Sequence, residues 1–443
     1  MTTTSDYPFC AETGGHAARR FHAEHGSPLP VMDLAARNTP PKVYSRAKIL
    51  SLAFPPPAWS GVDVSHPEGL NCLLTLLYGG NRIEWSRGGV GIGRSVPSGG
   101  GAYPGEVYLA TEFGLCHYLP SIHALELLQP DDLRVELADC LRSAPEPRPE
   151  VFLLFTSRHD ANVARYGGFG HRLQALDTGV LVGQSSALLN AAGMRARVHG
   201  IFEDERLGRR LGLDPAAESV RAVVTAYPDA GASKTDVVAR TLRRHTPRSG
   251  FALAPIERAR LVSLLDEADV APPTDFSADL GVDATVPTGP DLPTALDLHC
   301  VAGRVSELPA GCHRFDRESR DLVPGLADVT PRALFAPGSP GELAGYESAC
   351  AVLITGDYEH GYAKYGDRWY RLLNLLAGIL GLRISLAAAG AGLAAGLRCD
   401  FITPQADRLL PDPDRTVLMT VLIGHERAAP SPSYPLYSIE DGR

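Results

Sequence analysis

The chain has 443 residues, of which 44% are apolar and 21% charged, which is the composition of an ordinary globular protein. That length exceeds one ordinary hydrophobic core, so two domains are expected. The net charge of −9 argues against nucleic acid or an anionic membrane as a main partner, because either would favour a basic surface.

The N-terminal part of the chain predicts an extended arm. Its first residues, 1–6, contain no basic stretch followed by an apolar one, so we expect no secretory signal. Pro40-Pro41 and Pro55-Pro56-Pro57 indicate that the arm, 1–60, is not a domain of its own. The eight cysteines are scattered, with no CxxC pair. They are expected to be reduced, as in a cytoplasmic protein, and no metal site is predicted.

An internal repeat organises the rest of the chain. When the sequence is shifted by 199 positions, two stretches of about sixty residues align without gaps. The apolar run 152–156 aligns with 351–355, and both are short enough for buried strands. The repeat predicts two copies of one fold, 61–228 and 248–443, joined by a polar linker at 229–247.

Each copy contains a long apolar helix, predicted at 176–192 and 372–391, before final strands at 222–226 and 417–423. A helix without a polar face must be covered on every side. The copies are therefore expected to pack helix against helix about an internal pseudo-twofold axis. The run 372–397 is long enough to span a membrane, but it contains an arginine and an asparagine, so a buried core helix is predicted.

A glycine-rich segment in the first copy, Pro97-Ser98-Gly99-Gly100-Gly101, is a candidate ligand loop, here called the glycine loop. Three consecutive glycines let backbone N–H groups approach a flat or anionic ligand closely. Arg94 adds a cation suited to phosphate. A plain surface loop would explain the composition equally well. The second copy has a degenerate echo at 286–291, and the preceding segment 89–93 lacks the GxGxxG spacing of a dinucleotide site.

Lys364-Tyr365 in the second copy is a candidate catalytic pair, and it aligns with Arg165-Tyr166 in the first. A cation beside a tyrosine stabilises the phenolate and lowers its pKa, so that Tyr365 could accept a proton. A tyrosine packed on the core beside a solvated lysine is the commoner arrangement.

The pattern from Arg94 to Tyr108, Arg-x-x-Pro-Ser-Gly-Gly-Gly-x-Tyr-Pro-x-Glu-x-Tyr, resembles the flavin-contacting loop of SagB/McbC-type dehydrogenases. The likeness continues through 41–44, 73–80 and 177–184, and more faintly into the second half. It implies an α+β, nitroreductase-like fold, as two tandem copies that form an intrachain pseudo-dimer. It also implies a bound FMN and the oxidation of azolines to azoles in a ribosomally made peptide.

The resemblance also assigns site residues. It implies catalytic roles for Lys364 and Tyr365. Its implied cofactor contacts are Arg94, Ser95, Pro97, Ser98, Gly99, Gly100, Gly101, Gln184 and Arg368. The first copy retains the glycine loop and the second retains the Lys-Tyr pair, so one composite site per chain is expected. Many relatives hold the FMN phosphate with Arg-x-Ser-x-Arg, which neither copy contains, so Arg94, Arg368 or Arg427 would have to replace it.

The implied partners are a peptide substrate and a cyclodehydratase complex. Because both halves of the site lie in one chain, a monomer is expected to suffice, with further dimerisation optional. Two alternatives remain open at the level of sequence. One is a flavin oxidase acting on another peptide or carrier-bound substrate, and the other is a flavin-free scaffold that binds a peptide or a partner enzyme.

Overall fold

The structure is a computed structural model. It describes residues 14–27, 40–57, 59, 63–64, 66–86, 89–142, 147–229, 236–270, 273–276, 295–428 and 433–437. The degenerate glycine segment at 286–291 lies outside the described residues.

The described elements of the first half, in chain order, are α1 (His16–His25), β1 (Lys48–Ser51), α2 (Pro67–Tyr78), β2 (Gly80–Ser86), β3 (Gly89–Arg94), β4 (Gly105–Thr111), β5 (Gly114–Leu119), β6 (Ala124–Gln129), α3 (Arg134–Ala138), β7 (Val151–Arg158), α4 (Asp160–Tyr166), α5 (Phe169–Ala191), β8 (Met194–His199), α6 (Asp204–Arg210) and β9 (Glu218–Pro228). Those of the second half are α7 (Val237–Arg243), β10 (Ile256–Glu257), α8 (Arg258–Ala268), β11 (Leu296–Ala302), β12 (Val305–Ser306), β13 (Gly311–Asp316), β14 (Asp321–Ala327), α9 (Pro340–Glu347), β15 (Cys350–Gly356), α10 (Tyr362–Tyr365), α11 (Arg368–Gly390), β16 (Ala394–Arg398), α12 (Thr403–Asp407), β17 (Thr416–Gly424) and β18 (Ser433–Pro435).

Two antiparallel sheets repeat the same strand order. The first is β1-β6-β5-β4-β7-β9-β8 and the second is β14-β13-β11-β15-β17-β16, so six strands correspond one to one. Even the irregularities recur: the register shifts between Phe155 and Thr156 in one copy and between Ile354 and Thr355 in the other. These positions are 199 residues apart, and the predicted tandem α+β fold is confirmed.

The long helices α5 and α11 pack against each other between the sheets, and they too begin and end 199 residues apart. They touch through glycines: a Cβ on Gly179 would lie 2.1 Å from the carbonyl oxygen of Leu375, and one on Gly378 would lie 2.1 Å from that of Leu176. The pseudo-twofold axis therefore passes between Gly179 and Gly378. Helix α11 is long and apolar enough to cross a membrane, but 94% of its most apolar window is buried inside the protein, as the core-helix prediction requires.

Replacing Gly179 by alanine is therefore expected to force these helices apart. The new methyl group would meet backbone, which cannot turn aside as a side chain can, so we expect the free energy of unfolding to fall by about 2 kcal/mol. Gly208→Ala on α6 is the matched control, because a Cβ there meets nothing within 4 Å. It should stabilise the protein by up to about 1 kcal/mol through helix propensity. Denaturant unfolding of both variants checks this, and equal midpoints would contradict the close helix contact.

The arm and the linker are more structured than the sequence suggested. The arm contains the helix α1, which docks on the second copy: the Ala18 N–H donates to Asp367 Oδ1 at 2.9 Å, and Phe21 packs edge-on against Tyr370. The linker contains α7, whose Val238 and Thr241 are buried. Both helices are short and bury only two side chains each, so they leave almost no periodic signal in the sequence.

Candidate functional site

A cavity of about 430 Å³ opens beside the glycine loop, where the two copies meet. The first copy supplies the loop and the apolar face of α5 that carries Leu173, Leu176 and Val180. The second copy supplies the end of β16 and the residues after it, 397–400. A cavity of this size suits a small molecule or cofactor. Both copies contribute to its lining.

The glycine loop needs its glycines. Gly100 and Gly101 have φ of 60° and 67°, in the left-handed region that disfavours other residues. A Cβ on Gly100 would lie 2.1 Å from the hydroxyl of Tyr166, and Arg165 Nη1 donates to the Gly100 carbonyl oxygen at 2.7 Å. The loop is therefore held by the Arg-Tyr pair of its own copy.

Asp177, on α5, anchors the other end of the loop. Its Oδ2 accepts a hydrogen bond from Ser98 Oγ at 2.7 Å, and its Oδ1 accepts one from the Gly99 N–H at 3.2 Å. Desolvation in the cavity wall raises the pKa of Asp177 to about 6, against the opposing effect of these two hydrogen bonds. A carboxylate with such a pKa is ionised at neutral pH yet can take up a proton. Sequence reasoning missed this residue, although it is the one acidic residue of α5 and therefore a visible signal.

Arg244 gives the cavity a cation that no carboxylate neutralises among the described residues. Its Nε donates to the Ser95 carbonyl oxygen at 2.6 Å, while its buried Nη1 has no partner in the described part of the chain. Burial lowers the pKa of Arg244 to about 9, so it remains charged at neutral pH. Neighbouring cations are already paired: Arg82 Nε lies 2.6 Å from Glu84, which Arg248 also contacts.

Arg244, Thr246 and Arg248 all line the cavity. They have the spacing Arg-x-Thr-x-Arg, in which threonine supplies the hydroxyl of the serine in Arg-x-Ser-x-Arg. The segment does not match Arg-x-Ser-x-Arg letter for letter, because threonine stands in place of serine. Of the expected substitutes, Arg427 instead pairs with Glu347, outside the cavity.

The sequence-predicted cofactor contacts divide into two groups. Residues 97–101 line the cavity. Ser95 is buried just outside it, and Arg94 lies over the rings of Tyr78 and Tyr103, at 4.2 and 4.3 Å from their centroids. Gln184 donates to the hydroxyl of Thr241 at 3.0 Å, in the packing between α5 and α7. These three residues pack behind the residues that line the cavity and do not line it themselves.

Lys364, Tyr365 and Arg368 do not line the cavity either. The Tyr365 ring stacks on Trp369, with centroids 5.7 Å apart, and Arg368 is buried against Asp204. The expectation that the glycine loop faces the Lys-Tyr pair therefore needs correction. By the repeat, Tyr365 corresponds to Tyr166 of the first copy, and the segment 286–291 that corresponds to the glycine loop lies outside the described residues.

In the described part of the chain, the segment 273–276 covers the wall that is the pseudo-symmetric counterpart of a cavity wall. The residues equivalent to 397–400 are 198–201, and the segment 273–276 covers them. Asp275 Oδ1 accepts the Gly200 N–H at 2.9 Å, and the fully buried Phe276 packs on Gly200. Leu376 stands at the position equivalent to Asp177. The open wall and the covered one thus differ in both space and chemistry.

Neither a protein-family model nor a curated protein matches the sequence. Among solved structures, a putative nitroreductase from Anabaena variabilis has a TM-score of 0.74 at 21% identity, over 93% of this chain and 99% of that one. A putative nitroreductase from Ralstonia eutropha matches 46% of this chain and 98% of its own, with a TM-score of 0.34 and 21% identity. The E. coli microcin synthetase McbBCD complex with truncated pro-MccB17 bound matches 47% of this chain and 81% of that chain, with a TM-score of 0.32 and 18% identity. From the full-length match and the internal repeat, the chain has the nitroreductase-like fold in two tandem copies.

Proposed function

We propose that this protein is an FMN-dependent oxidoreductase that oxidises an azoline in a ribosomally made peptide to an azole. The observation that carries the proposal is the cavity itself. It joins glycine backbone and an apolar helix face, which suit a flat ring system, to the buried Arg244 cation, which suits a phosphate. An FMN presents both of these features, so the residues present fit the cofactor.

The roles of the lining residues follow from their positions. Leu173, Leu176 and Val180 would contact the flavin ring, and Arg244, with the Thr246 hydroxyl beside it in the lining, would hold its phosphate. When bound, the flavin supplies a two-electron acceptor for a hydride. Azoline oxidation releases a proton from one ring carbon and a hydride from its neighbour, so the chain must also supply a base.

Asp177 is the base that the cavity supports best. Burial raises the pKa of Tyr166, although Arg165 opposes the shift, so the Tyr166 phenol keeps its proton at neutral pH. The carboxylate of Asp177 is ionised at that pH and lines the same cavity. We therefore assign proton uptake to Asp177, and loop positioning to Arg165 and Tyr166.

The azoline substrate and its delivery by a cyclodehydratase are supported by the glycine loop's resemblance to SagB/McbC-type dehydrogenases. That resemblance covers the loop residues that do line the cavity, 97–101. A flavin oxidase acting on a carrier-bound thiazoline would use the same lining, and substrate assays separate the two.

The purified protein is expected to be yellow, with one FMN per chain, because the segment 273–276 covers the counterpart wall. Heat release of the flavin, counted against protein, measures the ratio. The loaded protein, given a thiazoline peptide and oxygen, should produce the thiazole, seen in mass spectra as the loss of two hydrogens. A colourless protein that binds no added FMN would favour the scaffold alternative, and two flavins per chain would contradict the covered counterpart.

A further inference from the structure

The three-stranded sheet β18-β2-β3, here called the ribbon, borders the cavity. Arg82 and Glu84 of β2 line the cavity, so the alternate residues of that strand face away from it. The outward residues pair across the ribbon: Ile83 with Ile92 and with Tyr434, and Trp85 with Val90. Because directly paired residues share a face, these five form one surface, here called the apolar face.

The apolar face is unusually open to solvent. Trp85, Val90, Ile92 and Tyr434 are 44%, 64%, 57% and 59% exposed. Isolated exposed apolar residues are common, but a contiguous group on a small sheet marks a binding surface. A bound partner would remove these side chains from water.

The strand β3 has an open edge, and the side of it that faces the cavity lacks a side chain at Gly91. It is the last strand of the ribbon, and no strand in the described part of the chain pairs with its other side. Gly91 lies opposite Glu84, so its missing side chain would have pointed towards the cavity. A Cβ there would meet nothing within 4 Å, and its φ is not positive, so neither packing nor backbone requires the glycine. The missing side chain leaves space at the mouth of the cavity.

These features favour an extended peptide as the occupant. An unpaired strand edge offers backbone groups to an added strand, whose alternate side chains can cover an apolar face. Strand β3 ends at Arg94 and runs directly into the glycine loop, so a peptide aligned with β3 leads to the cavity. A small-molecule substrate would need neither the edge nor the apolar face.

We propose that the ribbon is a substrate-docking element: an extended segment of the peptide adds as a strand to the open edge of β3, and its apolar side chains cover the apolar face. This inference rests on the proposed function in taking the peptide to be the substrate. The protein would recognise the peptide through backbone hydrogen bonds and apolar contacts, which many peptide sequences can make.

The test compares two doubly substituted, FMN-loaded proteins. Val90→Ser with Ile92→Ser removes apolar groups from the ribbon, and Val323→Ser with Leu326→Ser removes similarly exposed groups from β14, the edge strand of the other sheet. The probe is a fluorescein-labelled peptide with one thiazoline and about six residues on each side, the length of an ordinary strand. Its fluorescence anisotropy gives the Kd. We expect about tenfold weaker binding for the ribbon variant, from the lost apolar burial, and no change for the control.

The outcomes separate this inference from the proposed function. Equal Kd values for the wild type and the ribbon variant would overturn the docking element, even if the azoline is oxidised. A Kd that responds only to the ribbon substitutions, without oxidation by any of the proteins, would support the element and contradict the oxidase. Light scattering tests whether a second copy of this chain, rather than the peptide, binds the apolar face. A dimer that is lost in the ribbon variant, with the peptide Kd unchanged, would also overturn the proposal.

Discussion

Asp177→Asn is expected to slow azoline oxidation by about two to four orders of magnitude, the usual contribution of a general base. The amide keeps the size of the carboxyl, and its oxygen can still accept the hydrogen bond from Ser98, although the contact with the Gly99 N–H is lost. Because Arg165 also holds the loop, the loop and the bound FMN should persist. What it loses is the ability to take up a proton. Because the pKa of Asp177 is raised to about 6, wild-type turnover should fall as the pH drops below about 6 and the carboxylate becomes protonated. The variant should lack that acid limb, which a merely structural role would not explain.

Two controls make this assignment decisive. Asp160→Asn removes a carboxyl from the exposed start of α4 and should leave turnover unchanged. Tyr365→Phe should do little, because Tyr365 packs on Trp369 outside the cavity. Turnover abolished in Tyr365→Phe but retained in Asp177→Asn would show that the Lys-Tyr pair of the second copy carries the chemistry after all. Stopped-flow reduction of the bound flavin measures the affected step directly.

Arg244→Gln is expected to weaken FMN binding by about thirtyfold or more. Losing the cation of a buried, hydrogen-bonded charge pair costs about 2–5 kcal/mol, and about 1.4 kcal/mol is tenfold in affinity. Riboflavin lacks the phosphate, so its affinity should barely change. Fluorescence titration of the flavin-free protein with FMN and with riboflavin gives both constants. In wild type FMN should bind far more tightly, and in the variant this preference should largely disappear.

The ratio of the two affinities separates phosphate binding from damage to the fold. Arg244 also supports the loop through the Ser95 carbonyl oxygen, and a structural defect would weaken both flavins equally. Arg244→Lys keeps the charge and should restore part of the preference for FMN. Arg427→Gln removes a cation that pairs with Glu347, and it should leave both affinities intact. If the preference survives in Arg244→Gln and not in Arg427→Gln, the phosphate lies elsewhere.

The tandem fold could be predicted from the sequence because the apolar runs of the duplicated strands and helices keep the same separation along the chain. The 199-residue shift alone located both long helices, and the glycine loop was visible because consecutive glycines are rare in strands and helices. The residues that contact the glycine loop were not visible in the sequence. The repeat aligns Tyr166 with Tyr365 but does not say which of the two tyrosines contacts the loop. Position in the repeat answers that question only once the chain is folded.

The residues that sequence reasoning missed share a physical cause. Asp177 and Ser98 are 79 positions apart, and Arg244 reaches the Ser95 carbonyl oxygen across 149 positions. Such contacts depend on tertiary packing, which leaves no local pattern. Arg244-x-Thr246-x-Arg248 did leave one, and it would have been found by matching hydroxyl chemistry rather than residue identity.

The segment 273–276 gives the protein an asymmetry that two identical chains could not have. In a homodimer with a twofold axis, every substitution appears at both interfacial sites, so a change that closes one site closes the other. Once both halves are encoded in a single polypeptide, Phe276 can cover the wall of one site while the other stays open. Covalent linkage also keeps the halves at high effective concentration, so assembly of the working site does not depend on how dilute the protein is.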